Sequence, residues 1–113
     1  MLYKYNVSND DDLDSVFKAL ANPVRRRLLD AMKDGSRTTG QLCEAERALD
    51  RCTVMQHLKA LETAGLIIVR REGRERWNHL NAMPIKAVHD RWIAPYARGA
   101  VAMLADLKER VEG

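Results

Sequence analysis

From residue 10 onward the apolar positions fall mostly at helical spacing. Leu13, Val16, Phe17 and Leu20 form a first stripe, preceded by Ser8 to Asp12, which supply caps and acidic groups for a helix N-terminus. Asn22-Pro23 restarts the pattern. Asparagine accepts hydrogen bonds from the free N–H groups of a helix start, and proline fits the first helical position. Val24, Leu28, Leu29 and Met32 give this second helix its apolar face, and Gly35 ends it. Arg25, Arg26 and Arg27 sit near its start, where the helix dipole gives cations no help. Most of them are expected to be solvated, with one available to a phosphate.

Thr38 or Thr39 can cap a short third helix through Gln41, Leu42, Ala45 and Ala48, interrupted at Leu49 and Asp50. Asp50 is placed to cap a fourth helix, about residues 51–64, and Gly65 suits the left-handed residue after a helix end. The apolar stripe of this helix is narrow: Val54, Leu58 and Leu61. Arg51, Thr53, Gln56, His57 and Lys59 dress the rest. "LIIVRR" and "RERWNHLN" read as two strands joined at Glu72-Gly73. From Pro84 the helical period returns through Ile85, Val88, Trp92, Tyr96, Ala100, Leu104, Leu107 and Val111, with Pro95 expected to kink or restart the helix.

Four helices, a hairpin and a long helix predict a mainly α fold with a small β-hairpin, a winged helix-turn-helix. Val54, Leu58 and Leu61 would clamp the fourth helix to the core and leave its opposite face free for a DNA major groove. The chain, 1–113, is expected to be a single domain, with core and wing in 10–83 and a C-terminal dimerisation helix in 84–113. The last stripe is longer than so small a core can cover from one side. A second copy is its natural cover, through the first and last helices, with Phe17, Trp92, Tyr96, Ala100, Leu104 and Leu107 at the interface.

Charge sharpens the picture. The 113 residues carry 19 basic and 16 acidic side chains, but "VRREGRER" concentrates Arg70, Arg71, Arg74 and Arg76 against two glutamates. A local positive patch on a nearly neutral chain suits a polyanion, and double-stranded DNA is the expected partner. No signal peptide or apolar run of membrane-spanning length is visible, and Cys43 and Cys52 make no disulfide framework. The expected setting is cytoplasmic, away from membranes. Nucleophile–base constellations, phosphate-cradling glycine loops and paired carboxylates are not apparent, so neither enzyme activity nor a cofactor is expected.

"FKALANPVRRRLLDAM", "TVMQHLKALETAGLI" and "VRREGRERWNHLN" stand in the order of the helix, recognition-helix and wing signatures of the ArsR/SmtB family of bacterial winged-helix repressors, which the chain resembles over roughly residues 13 to 96. The resemblance implies a homodimeric repressor on a palindromic operator near its own promoter. It carries Arg51, Thr53, Gln56 and His57 over as groove-facing residues and Lys59 as a phosphate contact, with Arg70, Arg71, Arg74 and Arg76 in the wing. Met55 stands where the family usually has serine, and offers a thymine methyl contact in place of a hydrogen bond. Trp77 is expected to pack between wing and core.

The family also invites a metal-sensing reading. Its arsenic sensors place a Cys-x-Cys pair in the third helix, but here Cys43 is followed by Glu44 and Ala45. Its zinc sensors use carboxylates and imidazoles on the last helix, where this chain has only His89-Asp90. No metal ligand set is therefore expected. A thiol switch at Cys43 or Cys52 is a rival input. The alternatives to a plain DNA-binding repressor are a thiol- or metal-responsive repressor of the same fold, and a winged-helix module that binds protein. No residue pattern names an inducer, small molecule or metal.

Overall fold

The computed structural model describes residues 10–96 and 98–112, apart from the side chains of Arg98, Ala100 and Val101. The expected cap at Ser8 and Asn9 and the Ala100 side-chain contact lie outside the described residues. In chain order the elements are α1 (Asp10–Leu20), α2 (Pro23–Ala31), β1 (Arg37–Thr38), α3 (Thr39–Ala45), α4 (Arg51–Thr63), β2 (Ile67–Glu72), β3 (Glu75–Leu80), α5 (Met83–Trp92) and α6 (Arg98–Glu112). The strands form one antiparallel sheet in the order β1-β3-β2.

Local chemistry sets most helix boundaries. Asn22 Oδ1 accepts from the N–H groups of Val24 (2.9 Å) and Arg25 (3.2 Å) at the head of α2. Thr38 and Gln41 form a reciprocal capping box on α3. Asp50 takes the Thr53 N–H at 2.7 Å and starts α4. At the other end of α4, Leu66 N–H donates to the Leu61 carbonyl and Gly65 N–H to that of Glu62. Gly65 lies at φ 79°, so this is a Schellman stop, which glycine adopts without Cβ strain.

Val16, Leu28, Met32, Leu42, Val54, Leu61 and Leu66 are fully buried at the centre of the core, where α1–α4 meet the base of the sheet. Two asparagines anchor the wing there. Asn78 Nδ2 donates to the Arg37 carbonyl (3.2 Å) and Thr39 Oγ1 (3.1 Å). Asn81 Nδ2 donates to the Gly65 carbonyl at 2.9 Å, while its Oδ1 accepts from Met83 N–H at 3.2 Å. Buried amides need such partners, because leaving one unmade costs more than making it gains.

Three boundaries differ from the sequence expectation. α2 closes at Ala31, with Gly35 in the turn beyond it. α3 stops at Ala45, leaving Ala48 in the turn before Asp50. The hairpin loop is Gly73-Arg74, since Glu72 pairs with Glu75, and Gly73 supplies the positive φ of 63°. As expected at Pro95, the C-terminal helical pattern restarts, as two helices rather than one, since the proline ring can neither donate to nor fit a continuous helical interior.

The arginine triplet is engaged with the protein itself, although Arg26 and Arg27 remain exposed. Arg25 reaches His57 on α4 and the Lys18 carbonyl of α1. Arg26 donates to the Leu20 carbonyl at 2.7 Å. Arg27 forms a forked pair with Glu46, 2.8 Å at its shortest, just beyond α3. Helix α2 is thereby stapled to each of its helical neighbours.

α6 makes only sparse contact with the other elements among the described residues. Its Met103, Leu104, Leu107 and Val111 are 74%, 56%, 57% and 79% exposed, an apolar face left uncovered among the described residues. Phe17 and Trp92 are also exposed, and their ring centroids lie 5.9 Å apart. Among the described residues no helix is long and apolar enough to cross a membrane.

Candidate nucleic-acid interface

Helices α3 and α4, joined by the turn 46–50, are the helix-turn-helix, with α4 the helix that would read bases. Burial of Val54, Leu58 and Leu61 fixes its rotation. At 3.6 residues per turn, the side directly opposite carries Cys52, Gln56, Lys59 and Thr63, all exposed. Of the residues singled out in the sequence, Gln56 and Lys59 therefore stand on the outward face. Arg51 is exposed at the helix start. Lys59 sits 3.7 Å from Glu62, a solvent-exposed pair that is readily exchanged for another anion.

Thr53 and His57 are only half exposed, on the flank. Thr53 is occupied by the cap, and its hydrogen bonds hold the Asp50 carboxyl below the ordinary carboxylate range. His57 Nδ1 accepts from Arg25 Nε at 3.2 Å. Burial first, and then the Arg25 charge, push its pKa down, with Glu46 opposing. The Glu46 carboxyl is itself held low, chiefly by its hydrogen bonds from Arg27. Cys52, noticed in the sequence only as a thiol, lies one turn before Gln56 on the same outward face. Its helical phase was the signal for it.

The wing arginines divide by face. Residues directly opposite across an antiparallel ladder share a face, and neighbours along a strand alternate. The pairs Val69↔Asn78 and Arg71↔Arg76 continue the pair of buried Ile67 and half-buried Leu80 on the side toward α4. Arg70↔Trp77 and Ile68↔His79 lie on the reverse side, and Arg70 approaches Glu72 at 3.8 Å. Trp77 is half-buried there. Arg74 occupies the exposed tip. Between α4 and the inner face of the wing runs a groove of about 430 Å³, with Met55, Leu58 and Val69 in its apolar lining and Gln56, Lys59 and Arg76 among its polar groups.

Arg71 opposite Arg76 is a like-charge pair, which destabilises a hairpin unless an anion lies beside it. Neither has an acidic partner among the described residues. Gln56, Lys59, Arg71, Arg74 and Arg76 thus give one surface with an exposed amide and a row of cations.

Cys43 is half-buried against the core and Cys52 is exposed, and both are free thiols. Asp90 accepts from Lys86 at 2.7 Å, and His89 lies 3.5 Å from it. Among the described residues no three of His, Cys, Asp and Glu gather as a metal ion requires.

A helix-turn-helix domain model matches residues 20–70. The HTH-type transcriptional regulator Rv0081 of Mycobacterium tuberculosis is 32% identical over 95 residues, covering 81% of this chain and 83% of its own. The transcriptional repressor SdpR of Bacillus subtilis is 33% identical over 69 residues, covering 61% and 76%. Among solved structures, the ArsR family transcriptional regulator RHA00566 superposes with a TM-score of 0.67 at 28% identity, covering 93% of this chain and 95% of that one. The crystal structure of M. tuberculosis Rv0081 shares the fold, with a TM-score of 0.61 at 24% identity over 95% and 99%. These relatives are named as transcriptional regulators, and the order of helices, helix-turn-helix and wing agrees with the fold of the solved structures. The chain belongs to the ArsR/SmtB family of winged helix-turn-helix transcriptional regulators.

Proposed function

We propose that this regulator is a cytoplasmic homodimeric repressor that binds a palindromic operator. In this reading Gln56 contacts a base edge, while Arg51, Lys59, Arg71, Arg74 and Arg76 contact phosphates. The observation that carries it is the Arg71–Arg76 pair, without an acidic partner among the described residues, on the sheet face turned toward α4. Two cations held side by side without a counter-charge suit the phosphate rail beside a major groove, and release of condensed counterions supplies the affinity. The exposed apolar stripe on α6 supports the second copy. A two-fold dimer would set two copies of α4 about 34 Å apart, one turn of duplex.

The test is selection of bound sequences from a random duplex pool. A consensus of two inverted half-sites about one helical turn apart is expected. Recovery of unrelated sequences, all bound alike, would mean that the cations hold DNA without reading it.

A further inference from the structure

We propose that Arg25 fixes the tautomer of His57 and makes its imidazole a one-way hydrogen-bond donor on the flank of the DNA-facing helix. The inference rests on the DNA-binding reading above and adds a residue of α2, outside the reading helix, that positions a group on it. Arginine does not lose its proton in a protein. Its Nε–H, 3.2 Å from His57 Nδ1, therefore obliges that nitrogen to accept. A neutral imidazole carries one proton, which then resides on Nε2.

The guanidinium is anchored. Arg25 Nη1 donates to the Lys18 carbonyl at the end of α1 (3.3 Å), and its backbone N–H is held by the Asn22 cap at 3.2 Å. The charged groups around His57 are Arg25 from α2 and Glu46 at the end of α3, and Glu46 is occupied by Arg27. A second proton on the ring would break the Arg25 bond and set two cations together, so the ring stays neutral. Neutral and half exposed beside Gln56, it offers Nε2–H to an acceptor and nothing to a donor. Phosphate oxygen, purine N7, guanine O6 and thymine O4 all meet that requirement, whereas the amino groups of adenine and cytosine do not.

The first experiment needs no DNA. Long-range proton–nitrogen correlation of the imidazole rings at pH 7.5 separates the tautomers, and His57 is assigned among the three histidines by the signals missing in His57→Gln. The expected state is Nε2–H with an unprotonated Nδ1. Arg25→Met should give a tautomer mixture and raise the titration midpoint of His57. The second experiment compares His57→Gln, whose amide nitrogen reaches near the Nε2 position, with His57→Asn, whose amide lies near Nδ1.

On the operator, the glutamine variant should stay close to wild type and the asparagine variant should lose roughly five- to tenfold in affinity. Methylphosphonate substitution identifies a phosphate acceptor, and 7-deazapurine substitution a base acceptor. An Nδ1–H tautomer in the wild-type chain, or equal affinities for Gln and Asn at position 57, would overturn the proposal. A chain that binds no duplex at all would instead overturn the DNA-binding reading, while the tautomer measurement still stands by itself.

Discussion

Arg70, Arg71, Arg74 and Arg76 carry the same charge, but the pleat gives them different work. Arg71→Ala or Arg76→Ala should weaken binding about equally on operator and random duplex, and lower the salt slope by roughly one each. Arg70→Ala, on the reverse face beside Glu72, should leave both nearly unchanged. Fluorescence anisotropy titrations over a range of salt concentrations decide this, and equal losses at positions 70 and 71 would mean the wing lies flat on the duplex. Gln56→Ala should cost on the order of 1–3 kcal/mol on the operator and little on random DNA. The cluster of arginines was plain in the sequence, but their neighbours were not. A loop at Glu72-Gly73 would have set Arg71 opposite Arg74, whereas the loop at Gly73-Arg74 sets it opposite Arg76. Nothing within the hairpin sequence chooses between those loops as firmly as Asn78, whose burial against Thr39 and Arg37 fixes the strand from outside.

Helices were the most readable elements, because their signals are local. Asn22, Thr38, Asp50 and Gly65 each act within a few residues of themselves. Asn22→Ala should cost about 1 kcal/mol of stability by loss of the cap on α2, and Leu61→Ala, at the centre of the core, roughly 2–5 kcal/mol, both measurable by urea unfolding. Asp50 gives a pH signature. Its carboxyl titrates lower in the folded chain than in the unfolded one. The unfolded state therefore takes up the proton first on acidification, so the stabilisation is present above the unfolded carboxylate value and is lost as pH falls through the folded one. Asp50→Asn keeps a capping oxygen and should flatten that acidic limb of the stability profile. His57 acts at higher pH: its lowered pKa means stability falls as pH drops from the ordinary imidazole value toward the folded one. β1 and the partners of Arg25, Arg26 and Arg27 were not readable. A two-residue strand has no periodicity, and an arginine at a helix start looks solvated until the neighbouring helices are in place.

At the scale of the molecule, the buried cluster among the described residues draws on α1 to α4 and the start of β2, and not on α6. Ending the chain after Tyr96 should therefore leave a folded winged helix with native-like helical signal. In sedimentation the full chain is expected as a dimer at micromolar concentration, and the shortened one as a monomer with poor operator affinity. A shortened chain that still pairs would move the contact to Phe17 and Trp92. The rotation of α4 has one more consequence. The residues that hold the helix and those that face outward are separate sets, so Cys52, Gln56, Lys59 and Thr63 can be exchanged without touching Val54, Leu58 or Leu61. The scaffold is in this sense re-addressable: a library varied at those four positions should yield proteins of unchanged melting temperature directed to new operators, and a lineage of such regulators can drift to new genes without first losing its fold.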